Sequence, residues 1–285
     1  MAYTEKSQTG KGKVMNVIIT GGDGWIGRFC VKVLEEKGYK VFKWGKWYYS
    51  HHLAPEIFSE HEPKYLIHTA WDVNPPAYWE NPNNVNWFDR SIYLMRQFYQ
   101  YGGKKVVVSG TCAEGTNTLY GRCKKSLREI MWEYCNIMGL GIGWATIFYP
   151  YGPYERPEKI ISSTIIHLLM DRKITINHPE QMIDFIHVED VARAMVAIME
   201  SDQNGVYDVG QGEIRSLRRV TEIIGKELGR SDLLEYGTHP FPEYITADIR
   251  PLRSLGYTPK YDIHSGIKDT IEFWKQEIYA TEVFQ

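Results

Sequence analysis

A doubly wound α/β fold, with helices on both faces of a parallel sheet, is the fold class this sequence predicts. Apolar runs of strand length recur from residue 14 onward, with helical patterns between them. A strand, a glycine turn and a helix follow one another in VIITGGDGWIGRFCVKVLEEKG, residues 17–38. The helical stretches end at Gly or Pro, as helices do. Parallel strands joined by such helices need right-handed crossovers, and an open sheet built this way holds its ligand at the carboxyl ends of the strands.

Residues 14–20, 40–44, 65–69 and 106–109 are the first candidate strands. Residues 28–37, 54–61 and 88–101 carry apolar positions at 3.6-type spacing and read as helices between them. Past Pro150 the character changes: Pro and Gly cluster in YPYGPYERPEK, then short elements alternate irregularly. That composition predicts a second, smaller lobe built over the strand ends. Residues 1–13, MAYTEKSQTGKGK, are polar and without pattern, and read as a flexible tail.

At 285 residues and 43% hydrophobic the chain can bury a large core. A formal net charge of -2 provides no basic field for nucleic acid or an anionic membrane, so the expected partner is a small molecule. Cys30, Cys112, Cys123 and Cys135 show neither Cys-x-x-Cys nor metal-like spacing, and no signal peptide or membrane-length apolar run precedes the fold. A reduced, cytoplasmic protein is the expectation. The nine histidines show no metal spacing either, so no metal is expected.

Gly21, Gly24 and Gly27 stand in G-x-x-G-x-x-G spacing between the first strand and its helix. Glycine permits the sharp turn, lets a pyrophosphate reach the backbone amides and lets the helix pack close to the sheet, while the helix N-terminus faces the anion. A dinucleotide cradled by Gly21, Asp23, Gly24, Trp25, Ile26 and Gly27 follows from that placement. An acid ending the second strand would bond a ribose 2′-hydroxyl, but here Gly45 and then Lys46 stand there, with no Asp or Glu. Lys46, helped by Lys43 or Arg28, would pair with a 2′-phosphate. NADP(H) is therefore the preferred cofactor and NAD(H) the alternative; the plainer reading leaves these lysines as solvated surface.

Tyr-x-x-x-Lys occurs at Tyr39 and Lys43, at Tyr101 and Lys105, and at Tyr120 and Lys124. The first pair lies along a strand and the second spans a Gly-Gly turn, so neither has helical geometry. Tyr120 opens LYGRCKKSLREIMWEYCNIMG, whose apolar residues fit a helix, and positions i and i+4 then share a face. Just upstream, SGT closes the fourth strand and offers a hydroxyl at the ligand rim. A phenol with an ordinary pKa near 10 needs an ammonium beside it to shuttle protons at neutral pH, which Lys124 can supply. Thr111 can hold the substrate oxygen next to Tyr120.

TGGDGWIG, SGT, YGRCK, FYPYGP, DFIHVEDVA and LGYTPKYDIHSGIKDTIEFW occur in that order in the extended short-chain dehydrogenases/reductases, the NAD(P)-dependent epimerase/dehydratase group. The chain resembles that family over residues 14–274. The resemblance implies a Rossmann-type domain from residues 14–152 and 183–209, and a substrate lobe from 153–182 and 210–285. It implies that Thr111, rather than Ser109, takes the Ser/Thr role, with Tyr120 as general acid/base and Lys124 as its partner. Ala70 and Trp71 would flank the nicotinamide ribose, and the nicotinamide would rest against the segment from Tyr149 to Tyr151. Trp71, Asp72, Thr111 and Tyr151 become candidate substrate contacts. Family members act mostly on nucleotide-activated sugars and commonly dimerise through helices of the Rossmann half, so a sugar substrate and a homodimer are implied.

The chain also departs from the family pattern. Only CAEGTNTL separates Thr111 from Tyr120, where ten or more residues are usual, so either the connector is short or the intact chain is longer here. Thr146 and Ile183 stand where arginines are common, the second of which often grips a nucleotide phosphate. Cys112 and Ala113 follow Thr111 where the sugar 4,6-dehydratases carry acidic residues, which argues against dehydration. The Cys and His of the coupled epimerase-reductases are absent: Ala113 holds the first place, and YGPYERPEK has no His. Cys112 reads as a small packing side chain and His187 as a structural one. The leading expectation is NADPH-dependent reduction of a 4-keto group on a nucleotide-linked 6-deoxy sugar. An epimerase with retained cofactor is the alternative. A non-catalytic dinucleotide sensor would have no use for a poised phenol.

Overall fold

The computed structural model describes residues 15–45, 50–74, 77–239 and 246–283. Its central sheet has six parallel strands: β1 (Asn16–Thr20), β2 (Lys40–Trp44), β3 (Tyr65–His68), β4 (Lys105–Thr111), β5 (Gly141–Ile147) and β10 (Gly205–Val209). Their spatial order is β10-β5-β4-β3-β1-β2, which places β1 between β2 and β3. The chain therefore reverses its winding direction at β1 and β3, and a crevice opens at the carboxyl ends of those two strands.

Alternation along the strands assigns side chains to two faces. Val17 and Ile19 of β1 and Val107 of β4 face one core, shared with Phe29, Leu34, Val191, Met195 and Ile198. These last residues lie on α1 (Trp25–Glu36) and α6 (Val188–Glu200). Ile18, Val106 and Val108 face the other core, with Phe58, Leu94, Phe98, Leu127 and Met131. Those belong to α2 (Ala54–His61), α3 (Asn83–Gln100) and α4 (Leu119–Met138). Each such side chain contributes roughly 1.5 to 3 kcal/mol by leaving water, so the sheet is held from both faces. Helix α1 begins earlier than its apolar spacing indicates, because Trp25 and Ile26 in its first turn are only half buried.

A third apolar cluster joins α5 (Ile160–Leu169), α7 (Leu217–Leu228) and α8 (Ile263–Val283) through Ile161, Ile165, Val220, Ile224, Ile267 and Ile271. Short strand pairs frame it: β6 (Tyr149–Tyr151) with β9 (Phe185–His187), β7 (Ile174–Ile176) with β12 (Leu234–Tyr236), and β8 (Met182–Ile183) with β11 (Arg215–Ser216). Among the described residues no helix is long and apolar enough to cross a membrane.

Within this region Glu155 is only 6% exposed, and its carboxylate accepts from Ser162 Oγ at 2.7 Å. Burial pushes its pKa up to about 7. The folded state thus holds a proton that the unfolded chain releases near pH 4.5. Stability from this group is complete below that pH and is lost as pH rises through about 7. Glu155→Gln is expected to raise stability at pH 8 by on the order of 2 kcal/mol and to change it little at pH 4.5. Thermal melts at the two pH values check this, and an equal shift at both would refute it.

Candidate active site

The glycine turn is closed by backbone contacts. Gly21 adopts φ +73°, and a Cβ there would stand 2.9 Å from the backbone N and Cα of Ala70, just past β3. Gly24 N donates to Gly21 O at 2.8 Å, and a Cβ on Gly27 would lie 2.0 Å from that same oxygen. Only glycine lets α1 start this close to the turn, which leaves a backbone-lined cradle at the crevice that fits a dinucleotide pyrophosphate. Trp25 Nε1 donates to Pro153 O at 2.8 Å, tying the turn to the segment after β6. Ile26 packs against the sheet core. Asp23 forms an ion pair with Lys43 at 3.5 Å. Lys46 lies outside the described residues.

Helix α4 carries the third Tyr-x-x-x-Lys pair. Thr118 caps it by accepting from Gly121 N at 3.1 Å, and Tyr120 and Lys124 follow on one face, 7% and 2% exposed. Lys124 Nζ donates to Ser109 O at 3.0 Å and sits 4.0 Å from the centre of the Trp71 ring. Burial raises the Tyr120 pKa above the usual phenol range, and a hydrogen bond with the Thr111 side chain pulls it back in part. Burial pushes Lys124 down to about 7. Thr111, Tyr120 and Lys124 are thus brought together from β4 and α4, while the other two Tyr-x-x-x-Lys pairs are not sites. Tyr39 OH donates to Glu200 at 3.1 Å, and Lys105 Nζ donates to Gln203 O at 2.8 Å and also to Ser201 O.

Aromatic rings enclose the phenol. Tyr78 and Trp79, stacked on each other at 4.5 Å, present to the Tyr120 ring at 5.2 and 5.6 Å. Trp71 meets the same ring edge-on at 6.3 Å and is fixed by Asn84, whose Oδ1 accepts from its Nε1 at 2.8 Å. Trp87 stacks against Trp71. The sequence carries no local signal that puts Tyr78 here.

The connector after Thr111 is a short turn, Cys112–Gly115, closed by a capping box between Thr111 and Glu114. Glu114 also accepts from Trp144 Nε1 at 2.7 Å and from Arg128 Nε at 2.7 Å. Its T-x-x-E spacing is the readable signal for this structural role.

Asp72 accepts from the backbone N of Asn74 at 3.1 Å, a turn within the loop that follows β3. Tyr149 is half buried and packs with Cys112 against Phe148, Ala247 and Ile249. The Cys112 thiol is pushed up to about 11, chiefly by burial. Tyr151 corrects an expectation: it is 1% exposed, packed with Phe185 and His187 in the third cluster, and has no surface to offer a substrate. The pairing of β6 with β9 carries it into that third apolar cluster. His187 Nδ1 accepts from Glu189 N at 3.3 Å and caps α6, and its Nε2 lies 3.2 Å from Asp269 Oδ2. Arg215 of β11 pairs directly with Ile183 of β8 and lines a cavity of about 360 Å³ with Gln211, Lys260 and Ser265.

A doubly wound parallel sheet with a glycine cradle at its switch point and a Thr-Tyr-Lys group at the strand ends, its Tyr and Lys buried, defines a nicotinamide-dependent enzyme of the short-chain dehydrogenase/reductase type. Residues 17–210 match the NAD dependent epimerase/dehydratase family, and the chain belongs to it. It is 25% identical over 264 residues to dTDP-6-deoxy-L-talose 4-dehydrogenase (NAD(+)) of Aggregatibacter actinomycetemcomitans, covering 81% of this chain and 97% of that one. It is 26% identical over 247 residues to UDP-glucuronate 4-epimerase of Thermodesulfobacterium geofontis, covering 78% and 76%. The fold is similar to that of UDP-glucose 4-epimerase of Thermotoga maritima, with a TM-score of 0.83 at 23% identity over 93% of this chain and all of the other.

Proposed function

We propose that the protein reduces a 4-keto group on a nucleotide-linked 6-deoxy sugar. The observation that carries this is the convergence of Thr111, Tyr120 and Lys124 in a site where the nearest acid after Thr111 is structural. Glu114 is held by Trp144 and Arg128, so it is not placed as the base that a dehydration needs. Gly21, Gly24 and Gly27 would hold the pyrophosphate, and Lys124 the nicotinamide ribose. The bound cofactor supplies hydride to the carbonyl carbon. Thr111 positions the carbonyl oxygen, Tyr120 gives it a proton, and protonated Lys124 stabilises the phenolate that remains. The aromatic wall of Trp71, Tyr78 and Trp79 keeps water from the exchange and gives a sugar ring an apolar surface.

Arg215 supports the nucleotide part of this reading. Directly opposed residues of an antiparallel pair lie close together, so Arg215 stands opposite Ile183, with its guanidinium paired to Glu213. The likeness to a 4-dehydrogenase supports the chemistry. The likeness to a 4-epimerase keeps a second reading, in which the same carbon is oxidised and reduced again with retained cofactor. The NADP(H) preference implied by Gly45 and Lys46 lacks support from the described residues, since Lys46 is outside them and Lys43 is paired with Asp23. A homodimer is what the family resemblance implies, and a cytoplasmic setting is what the cysteine pattern implies.

The test is a panel of TDP-, GDP-, CDP- and UDP-linked 4-keto-6-deoxy sugars supplied with NADH or NADPH, with products resolved by NMR. Net cofactor oxidation and a single C4 alcohol are expected. Interconversion of C4 epimers without net oxidation selects the epimerase. Reduction of a ketone without a nucleotide, with the whole panel inert, ends the nucleotide-sugar reading and leaves the reductase chemistry.

A further inference from the structure

We infer that Asp23 reads the adenosine ribose of the cofactor from the glycine turn, in place of an acid at the end of β2, and so favours a dinucleotide with a free 2′-hydroxyl. The inference rests on the dinucleotide reading of the glycine cradle. Strand β2 ends at Trp44, and Gly45 follows with no side chain. A Cβ built on Gly45 would lie 2.2 Å from Asp23 Oδ2, so the Asp23 carboxylate already fills the space that a residue-45 side chain would enter.

The backbone keeps the two together. Gly21 N donates to Trp44 O at 3.2 Å, which joins the start of the turn to the end of β2. The juxtaposition therefore does not depend on one flexible side chain finding another.

Chemistry then selects the ligand. A carboxylate accepts a hydrogen bond from a ribose 2′-hydroxyl, and it repels a 2′-phosphate, which brings like charge and has no proton to give. Among the described residues, the two cations named for that role, Lys43 and Arg28, are engaged by Asp23 itself. Lys43 Nζ lies 3.5 Å from its Oδ1, and Arg28 Nη2 donates to its backbone O at 3.1 Å while the guanidinium stacks over Tyr154. The side chain of Asp23 remains 68% exposed, so a ribose can reach it. The structure thus points to NAD(H) over NADP(H), the reverse of what Gly45 and Lys46 imply in sequence.

Equilibrium titrations with NADH and NADPH, read by energy transfer from the protein's tryptophans to the reduced nicotinamide, test this without an assay of turnover. The wild type is expected to bind NADH at least about tenfold more tightly than NADPH. Asp23→Ala should bring the ratio close to one, chiefly by improving NADPH, and Asp23→Ala combined with Gly45→Asp should restore it. Circular dichroism confirms that each variant is folded. Tighter binding of NADPH by the wild type, or an unchanged ratio in Asp23→Ala, overturns the inference. Equal loss of both affinities in Asp23→Ala also overturns it, because the residue would then only support the turn. Failure of the folded wild type to bind either dinucleotide would refute the cradle itself, and the role of Asp23 with it.

Discussion

Tyr120→Phe is expected to lower kcat by on the order of 100-fold or more while leaving dinucleotide affinity nearly unchanged. The substitution removes one hydroxyl from a side chain that is 7% exposed and enclosed by Trp71, Tyr78 and Trp79. The ring contacts survive, so the site keeps its shape. What disappears is the transferable proton and the bond to Thr111. Lys124 stays on Ser109 O, so the proposed hold on the ribose is retained. Steady-state rates with a substrate from the keto-sugar panel, beside a cofactor titration, separate the two effects. Turnover near wild type would remove Tyr120 from the chemistry, and a parallel loss of cofactor binding would recast it as a packing residue.

The second large effect is expected at Gly27. An alanine Cβ there would stand 2.0 Å from Gly21 O, 2.7 Å from Gly21 C and 2.9 Å from Gly22 Cα, all backbone atoms that cannot rotate away. Either α1 shifts out or the turn opens, and both spoil the anion cradle. Gly27→Ala should weaken dinucleotide binding by more than about tenfold and cost about 1 to 3 kcal/mol of stability through overpacking. Gly115→Ala is the matched control, because a Cβ at Gly115 meets nothing within 4 Å. Cofactor titration and thermal melts of the two variants decide it. Unchanged affinity in Gly27→Ala would show that the turn does not hold the pyrophosphate.

Much of the fold and part of the site were legible from residue order alone. The periods are local, and the forces that read them are local too. Alternation along β1 and β4 assigns Val17 and Val107 to one core and Ile18 and Val106 to the other, as strand geometry requires. Glycines at 21 and 24 and at 27 in the first turn of α1 define the turn, since no other residue lets backbone approach backbone so closely there. Tyr120 and Lys124 share a face because a helix brings i and i+4 together. The helical stretch around them is strongly patterned, whereas the rival pairs lie on a strand and across a turn.

The tertiary structure alone decided what those residues meet. Asp23 reaches the empty place beside Gly45 because β1 and β2 are neighbours, and no spacing in the chain encodes where a side chain from one loop lands beside another. Arg215 comes to stand opposite Ile183 through a strand pairing between distant segments. Tyr78 and Trp79 close over Tyr120 from a turn with no periodic pattern to announce it. Tyr151 reads as a rim residue by its motif, yet the pairing of β6 with β9 draws it into the third apolar cluster. Local rules assign a residue to an element and a face; which other face it meets depends on how the crossovers bring distant strands and loops together, and that is a property of the whole folded chain.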